Sequence, residues 1–274
     1  MEYIWYTIIF VFGAIIGSFL NVVIYRLHTG KSLGGRSHCL SCGTILVWYE
    51  LVPLLSYSFQ VARCRTCGSN IPSRYFFVEL LTAVSFLLLW TQFQTELLLL
   101  VFNWVLASVL VVILVYDVRH TIIPDELVVT LIVLALLSLL HQFAFSRDIG
   151  DVLLSLLGGA VASIFFGGLW YMSKGRWMGL GDAKLALPLG FLTGLTASFS
   201  MIIFGFWVGA VISLGILGFQ KVRLFCSKRG VAKYRRYLTI KSEVPFAPFL
   251  IAGFVLAYYV HADIFDVTFF LFSF

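Results

Sequence analysis

Two aspartates in this sequence stand beside long apolar runs, where a carboxylate is unexpected. Asp117, in "LVYDVRHTIIPDEL", follows one such run, and Asp182, in "MGLGDAKL", precedes another. A charged group near the hydrocarbon core of a bilayer costs free energy, so both carboxylates are candidates for function. Aspartate is also a common helix N-cap, and for Asp182 alone this simpler interpretation stands beside the functional one.

A pair of carboxyl groups has chemistry that a single one lacks. Two carboxyl groups in close proximity share a proton, so that one acts as a base toward water and the other as an acid toward a carbonyl oxygen. Gly179 and Gly181 suit this use of Asp182, because residues without side chains let a substrate backbone approach and permit unusual dihedral angles. We therefore predict an aspartic-protease pair of Asp117 and Asp182, with the two glycines as substrate-approach positions.

Four cysteines form two C-x-x-C pairs, Cys39 with Cys42 in "CLSC" and Cys64 with Cys67 in "CRTC". Each pair can present two thiolates from one tight turn, and four thiolates complete the tetrahedral shell of structural zinc. Redox chemistry by paired thiols and four unrelated buried thiols are the alternatives. The glycines that follow the pairs, Gly43 and Gly68, favour a zinc site with all four cysteines as ligands.

The elements that position these residues are those of a membrane protein. Hydrophobic residues make up 61% of the 274 residues and charged residues 12%, whereas soluble domains have roughly 45–50% and 25%. Five apolar runs are long enough to approach or exceed a bilayer core of about 30 Å; they cover residues 4–25, 76–90, 97–116, 127–145 and 152–171. The net charge of +6 is then best explained by topology, and we expect no nucleic-acid binding.

A further apolar block, residues 185–219, contains no charged residue. As one helix it would be about 52 Å long, so we predict two spans that turn near residues 193–200. The last span begins near Phe246. The predicted fold class is therefore an all-α polytopic membrane protein of about eight transmembrane helices, with a small cytoplasmic four-cysteine insert that is like a zinc ribbon.

The distribution of the positive charges supports the prediction of eight transmembrane helices. With eight crossings, 18 of the 19 lysines and arginines lie on one side of the membrane, and only Arg147 lies opposite. Cytoplasmic loops of membrane proteins carry an excess of lysine and arginine, so the charged loops are predicted to be cytoplasmic and both termini external.

Six motifs of this sequence, in order and over most of its length, resemble the bacterial type IV prepilin peptidases. They are "GSFLNVVIYRL", "CLSCGTILVWYELVPLLSY", "CRTCGSNIPSRYFFVELL", "DVRHTIIPD", "GLGDAKL" and "VPFAPFL". In that family the catalytic aspartates are the first Asp of the "D…IPD" motif and the Asp of "GxGD", which correspond here to Asp117 and Asp182.

The resemblance implies an endopeptidase of the bacterial inner membrane that removes the leader peptide of type IV prepilins or pseudopilins at the cytoplasmic face. It also implies that the enzyme can methylate the new N-terminus with S-adenosylmethionine, although no sequence motif marks a site for this methyl donor. Residues 1–25 are then the first transmembrane helix, 26–75 the zinc-binding loop and 76–274 a seven-helix protease domain. Prepilins and membrane lipid are the expected partners, and Asp125 and Glu126 are assigned to the start of a helix.

Two other classes of function remain as alternatives at this point. An ion or metal transporter uses carboxylates inside the membrane as relays, but usually near the midplane rather than at one face. A membrane thiol-disulfide oxidoreductase would use the cysteines as its active groups and would need them on the oxidising side. The predicted position of both aspartates at one membrane level favours the protease.

The predicted topology can be tested by labelling introduced cysteines. Cysteines placed at Gln94 and at the C-terminus should react with a membrane-impermeant thiol reagent in intact cells, because both positions are predicted to be external. The parent chain is the control, since its five cysteines all lie on the predicted cytoplasmic side. Labelling of either introduced cysteine only after permeabilisation would contradict the eight-span topology.

Overall fold

The computed structural model describes residues 2–27, 29, 32, 34–226 and 245–264. These residues form eight α-helices and one 3-10 turn, Trp48–Leu51, and within the described ranges the only strand-like pairing is two isolated bridges in the cysteine loop. The helices are α1 (Glu2–Arg26), α2 (Leu55–Phe59), α3 (Arg74–Phe93), α4 (Leu97–His120), α5 (Asp125–Ser146), α6 (Ile149–Ser173), α7 (Leu180–Cys226) and α8 (Ala247–Tyr258).

Helix α7 is broken at the place that its length predicts. Gly194 has φ 77° and ψ 176°, which is not helical, so α7 consists of two helical halves. A positive φ of this kind strains any residue with a side chain, which explains why a glycine stands at the break. The helix is interrupted within the predicted range of residues 193–200, and α8 begins one residue after the predicted position. That the two halves of α7 cross the membrane as separate spans stays a prediction.

Six described helices, α1 and α3 to α7, are long and apolar enough to cross a membrane by length and composition. The all-helical, multi-pass fold class is confirmed. The first half of α7 and the 12 residues of α8 are shorter than a bilayer core. Short helices are tolerated at membrane depth where protein covers them, and residues such as Leu185, Leu189 and Phe254 are fully buried.

The chain forms two compact units, Met1–Tyr116 and Asp117–Phe274. In the first, α1 packs against α3 across glycines: a Cβ atom added at Gly17 would lie 2.7 Å from the Cα atom of Glu79. Trp104 of α4 stacks on Phe86 of α3 with 5.1 Å between ring centroids and donates its indole N–H to the Phe86 carbonyl. Small residues and this aromatic pair allow close helix packing where burial in lipid gives no driving force.

The second unit is built around α7, which packs against α5, α6 and α8. The backbones of α6 and α7 meet at glycines, and a Cβ atom added at Gly190 would lie 2.5 Å from the Cα atom of Gly159. Helix α8 approaches the second half of α7 in the same way, through Gly253 and Gly205. Side chains at these contacts would separate the helices, so the close packing depends on glycine.

A single methyl group should therefore have opposite effects at two glycines. Gly190→Ala should lower the stability by about 1–3 kcal/mol, because the added Cβ meets the α6 backbone. Gly167→Ala is the matched control: an added Cβ meets nothing within 4 Å there, and replacing a helical glycine stabilises by up to roughly 1 kcal/mol. Thermal unfolding in detergent measures both, and equal midpoints for the two variants would contradict the close α6–α7 contact.

Candidate functional site

Asp117 lies in the last turn of α4 and is buried, with 4% of its surface exposed. Its carboxylate accepts a hydrogen bond from the backbone N–H of Ala247, the first residue of α8. Helix N-termini present free N–H groups and a positive dipole end, so this position suits a carboxylate. The second oxygen, Oδ2, is buried and has no hydrogen-bond partner among the described residues.

Asp182 lies in the first turn of α7 and is also buried, with 7% of its surface exposed. The backbone N–H of Gly179 donates to its carboxylate, and the carboxyl group is near enough to that of Asp117 for a direct electrostatic interaction. The two predicted catalytic aspartates are thus brought together, each beside the N-terminus of a helix. Two carboxyl groups in one low-dielectric site share a proton, which provides an acid and a base side by side.

The two predicted substrate-approach glycines have different surroundings. A Cβ atom at Gly181 would lie 3.3 Å from the Cβ of Ile123, so this glycine lets the segment before α5 pack closely against the start of α7. At Gly179 the nearest atoms are 3.9 Å away, one of them the Asp182 Oδ2. Neither glycine has a positive φ, so unusual dihedral angles are not the reason for them. Their role in substrate approach stays a prediction.

An ion pair connects the starts of α5 and α7. Lys184 Nζ lies 2.7 Å from Asp125 Oδ1, and the two side chains are 44% and 72% exposed. The assignment of Asp125 and Glu126 to the first turn of a helix is confirmed. Exposed pairs stabilise by about 0–1 kcal/mol, so this pair orients the two helix starts more than it stabilises them.

Several groups that lie around the two aspartates were not predicted from the sequence. The Ala247 N–H, the Ile123 side chain and the Lys184–Asp125 pair all depend on contacts between segments distant in sequence. A local signal existed only for Ala247, since a proline at the next position is typical of a helix N-terminus.

The four cysteines of the C-x-x-C pairs form one cluster. Their Sγ atoms all lie within 4.8 Å of one another, and those of Cys39 and Cys67 are 3.9 Å apart. Zinc–sulfur bonds of about 2.3 Å in a tetrahedron place sulfur atoms about 3.8 Å apart, so the cluster could hold a metal ion of this kind. All four are free thiols.

The two cysteine turns have the same backbone hydrogen bonds. Gly43 donates its N–H to the Cys39 carbonyl over 2.9 Å, and Gly68 donates to the Cys64 carbonyl over 2.9 Å. The two glycines have φ values of 72° and 69°, in the left-handed region that favours glycine. The tight turns predicted for the two pairs are therefore confirmed.

The backbone of these turns also favours thiolates. Backbone N–H groups of Cys42 and Ser41, with the Ser69 hydroxyl, lower the pKa of Cys39 to about 6. The pKa of Cys67 is lowered as well, first by the Ser69 hydroxyl and then by the Ser69 backbone N–H. The Cys67 backbone N–H acts in the same direction on Cys64, but burial and the bonds to the neighbouring Cys39 and Cys67 thiols outweigh it and raise the pKa of Cys64. Because the thiolate is the form that binds metal, the turns favour the metal-binding form at Cys39 and Cys67.

Two family models match the chain, one in the part that holds the cysteine cluster and one in the part that holds the aspartates. The model of the bacterial peptidase A24 N-terminal domain matches residues 11–93, which include the four cysteines. The model of the type IV leader peptidase family matches residues 104–214, which include both aspartates. A Vibrio cholerae prepilin leader peptidase/N-methyltransferase is 31% identical over 71% of this chain and 80% of its own length. The chain belongs to the type IV leader peptidase family.

Other relatives carry the same name. A Myxococcus xanthus prepilin leader peptidase/N-methyltransferase is 37% identical over 76% of this chain, and the match spans 62% of that relative's length. A Bacillus subtilis protein of this name is 29% identical over 92% of this chain and 93% of its own length. No solved structure matches this leader peptidase family member.

The cysteine cluster predicts one zinc ion per chain. Protein purified under reducing conditions should contain it, and Cys42→Ser should lose it, because three thiolates bind zinc much more weakly than four. Cys226→Ser is the matched control, since this fifth cysteine belongs to neither C-x-x-C pair, and it should keep the metal. Metal analysis of the three proteins tests this, and a fully active parent chain without metal would exclude a structural zinc site.

Proposed function

We propose that this member of the leader peptidase family is a membrane aspartic endopeptidase that cleaves the leader peptide from type IV prepilins or pseudopilins. The observation that supports the proposal most strongly is the buried pair of Asp117 and Asp182. Both residues lie within the part of the chain that the type IV leader peptidase model matches. The names of the relatives supply the class of substrate.

The proposed reaction uses one proton shared by the two carboxyl groups. The ionised carboxylate takes a proton from a water molecule, whose oxygen attacks the carbonyl carbon of the scissile peptide bond. The protonated carboxyl group gives its proton to the carbonyl oxygen. The C–N bond of the tetrahedral intermediate then breaks as the leaving nitrogen takes a proton from one carboxyl group. One hydroxyl of the intermediate returns its proton to the pair, which releases the leader with a new C-terminal carboxyl group and the mature chain with a free amine.

The surroundings of each aspartate suit this role. The Ala247 and Gly179 N–H groups each donate to one carboxyl group and hold it in place while the proton moves. The Asp117 Oδ2, which has no hydrogen-bond partner in the part of the chain that the structure describes, is the atom that we assign to bind the water or the substrate carbonyl. A side chain at Gly179 would begin 3.9 Å from the Asp182 Oδ2, and we assign the position that this glycine leaves clear to the approaching substrate backbone.

We further propose that the site works at the cytoplasmic face of the bacterial inner membrane. The distribution of lysine and arginine supports this orientation, because 18 of 19 lie on the side predicted to hold both aspartates and the cysteine loop. In this proposal residues 26–75 are the zinc-binding loop and residues 76–274 the protease domain.

N-methylation of the new N-terminus is proposed as a second activity. The relatives are named N-methyltransferases as well as leader peptidases, and the A24 N-terminal match covers residues 11–93 of this chain. S-adenosylmethionine would supply the methyl group, which would pass from its sulfonium sulfur to the nitrogen of the free amine. The nitrogen would lose a proton to water, and the sulfonium would become a neutral thioether. Zinc in the four-cysteine cluster would be structural, because four thiolates leave no open coordination position.

Neither alternative from the sequence has an observation in its favour. A transporter relay would use carboxylates near the membrane midplane, whereas Asp117 and Asp182 lie at the ends of their apolar helices. For the thiol oxidoreductase, the matching family models and the relatives described above carry the names of peptidases instead.

Single substitutions test the catalytic pair. Asp117→Asn and Asp182→Asn should each reduce leader cleavage by roughly a thousandfold or more, because an amide neither accepts the proton nor donates one as an acid. The double variant should be hardly worse than either single variant, since groups that act as a unit are not additive. Cleavage of a prepilin in detergent or liposomes measures this.

Asp125→Asn is the matched control. It removes one negative charge from the same segment, but Asp125 is exposed and pairs only weakly with Lys184, so substantial cleavage should remain. An active Asp117→Asn or Asp182→Asn enzyme would rule out the proposed mechanism. Loss of cleavage in Asp125→Asn alone would mean that the wrong aspartate of "DVRHTIIPD" was assigned.

A further inference from the structure

The loop between α1 and α3 carries an apolar surface that the described part of the chain leaves exposed. Four large apolar side chains form it, in the 3-10 turn and in α2: Trp48, Leu51, Leu55 and Phe59. Leu55 and Phe59 are four residues apart and so lie on one face of α2, and Phe59 is 82% exposed. We call these four side chains the α2 face. An exposed apolar patch of this kind marks an interaction site.

The side chains of the α2 face are continuous with one another. Leu55 and Phe59 line a groove together with Tyr49 and Val52. The Trp48 ring meets the Tyr49 ring edge-on, with 5.7 Å between the ring centroids. The 3-10 turn and α2 therefore present one apolar surface rather than scattered exposed residues.

The position of α2 beside α3 decides what can cover this surface. The backbone N–H of Leu54, just before α2, donates to Glu79 Oε2 over 2.8 Å, and the rings of Tyr57 and Phe76 have centroids 5.5 Å apart. Glu79 lies about 7.5 Å along α3 from its first residue, Arg74. Because side chains of a helix point back toward its start, Leu54 lies between these two levels. Helix α2 thus runs beside the first turns of α3.

Those turns of α3 lie at the boundary of the bilayer core. Helix α3 has 20 residues, which span about 30 Å, so it is as long as the core is thick and has no excess length that would raise its start into water. Phe77, in its first turn, is an exposed apolar residue. Helix α2 is therefore at the depth where amphipathic interfacial helices bury an apolar face, roughly 5–10 Å into the region between headgroups and acyl chains.

The loop also has the charge that a lipid surface attracts. Residues 26–75 contain six lysines and arginines and one acidic residue, Glu50, so the net charge stays positive even when four thiolates hold a zinc ion. Arg65 lines the apolar groove, and its guanidinium lies 5.1 Å from the centre of the Tyr49 ring. Anionic lipids attract such side chains, and tryptophan and tyrosine favour the level of the headgroups.

We propose that the α2 face inserts into the lipid leaflet at which α1 ends and α3 begins, while Arg63 and Arg65 contact its anionic headgroups. The occupant of the face is lipid, because the bilayer lies beside α2 whenever α3 spans the membrane. The two arginines flank Cys64 in the sequence. The anchor therefore holds the four-cysteine cluster close to the membrane surface.

The depth of the α2 face can be measured on the full chain in vesicles. A fluorescent coumarin amino acid replaces Phe59, and the vesicles contain equal parts of phosphatidylglycerol and phosphatidylcholine with brominated acyl chains, which quench the label on contact. Leu88, exposed in the middle of α3, is the reference position for lipid, and Gln94, exposed after the end of α3, is the reference for water. The label at position 59 should be quenched roughly half as strongly as at Leu88 or more, and several-fold more than at Gln94.

Matched substitutions test whether the apolar face causes the insertion. Leu55→Asp should lower the quenching at position 59 several-fold, because it places a charge at the boundary of the hydrocarbon. Leu40→Asp is the control: Leu40 is exposed to a similar degree in the first cysteine turn, outside the α2 face, and the quenching should stay as in the parent. Leu55→Phe keeps an apolar side chain and should also keep the quenching.

Lipid composition tests the part of the arginines. In vesicles of phosphatidylcholine alone, the quenching at position 59 should fall roughly twofold in the parent, since the attraction to anionic headgroups is lost. The double variant Arg63→Gln with Arg65→Gln should show the lower value in both kinds of vesicle. Arg147→Gln removes a positive charge from the end of α5 and should respond to phosphatidylglycerol as the parent does.

Each outcome decides one part of the proposal. Quenching at position 59 as weak as at Gln94 would overturn the lipid anchor. A photo-crosslinking residue at position 59 that reacts with a second copy of the chain or with prepilin, rather than with lipid, would assign the face to a protein and would also overturn it. Equal quenching with and without phosphatidylglycerol would exclude the headgroup contacts. None of these measurements depends on peptide cleavage, so the proposed protease is tested separately.

Discussion

The close approach of two buried carboxyl groups is the constraint on which the second unit is built. A carboxylate removed from water is costly unless hydrogen bonds or a helix dipole compensate for the lost hydration. Here Asp117 lies against the first N–H of α8, and Asp182 lies in the first turn of α7 with the Gly179 N–H directed at it. The N-termini of α7 and α8 thus lie beside the two carboxyl groups. Asp117 reaches them only because its own helical turn lies next to these N-termini.

Glycines make that convergence possible. The α6–α7 and α7–α8 contacts are backbone contacts at Gly159, Gly190, Gly205 and Gly253, where a side chain would force the helices apart. Gly194 interrupts α7 within this packed region. Packing of this kind relies on van der Waals contact rather than on burial from water, which suits helices that lie in lipid.

Much of this arrangement could be predicted from the sequence, because the informative features are local. Apolar runs predicted the helices, the excessive length of residues 185–219 predicted the break in α7, and the C-x-x-C-G repeats predicted the two cysteine turns. What could not be predicted involves partners distant in sequence. Nothing near Asp117 indicates Ala247, nothing near Lys184 indicates Asp125, and nothing near Glu79 indicates Leu54. Such pairs have no periodicity or spacing, so they become visible only when the helices are packed.

Glu79 takes part both in the packing of two helices and in the shape of the loop between them. Its backbone faces Gly17 in the α1–α3 contact, while its carboxylate holds Leu54 in the loop between the same two helices. A soluble zinc ribbon folds when its metal binds, because all its contacts lie within one short segment. The loop of this protein instead takes part of its shape from a transmembrane helix. It is therefore not a detachable module, because a change in how α1 and α3 pack moves the group that shapes the loop.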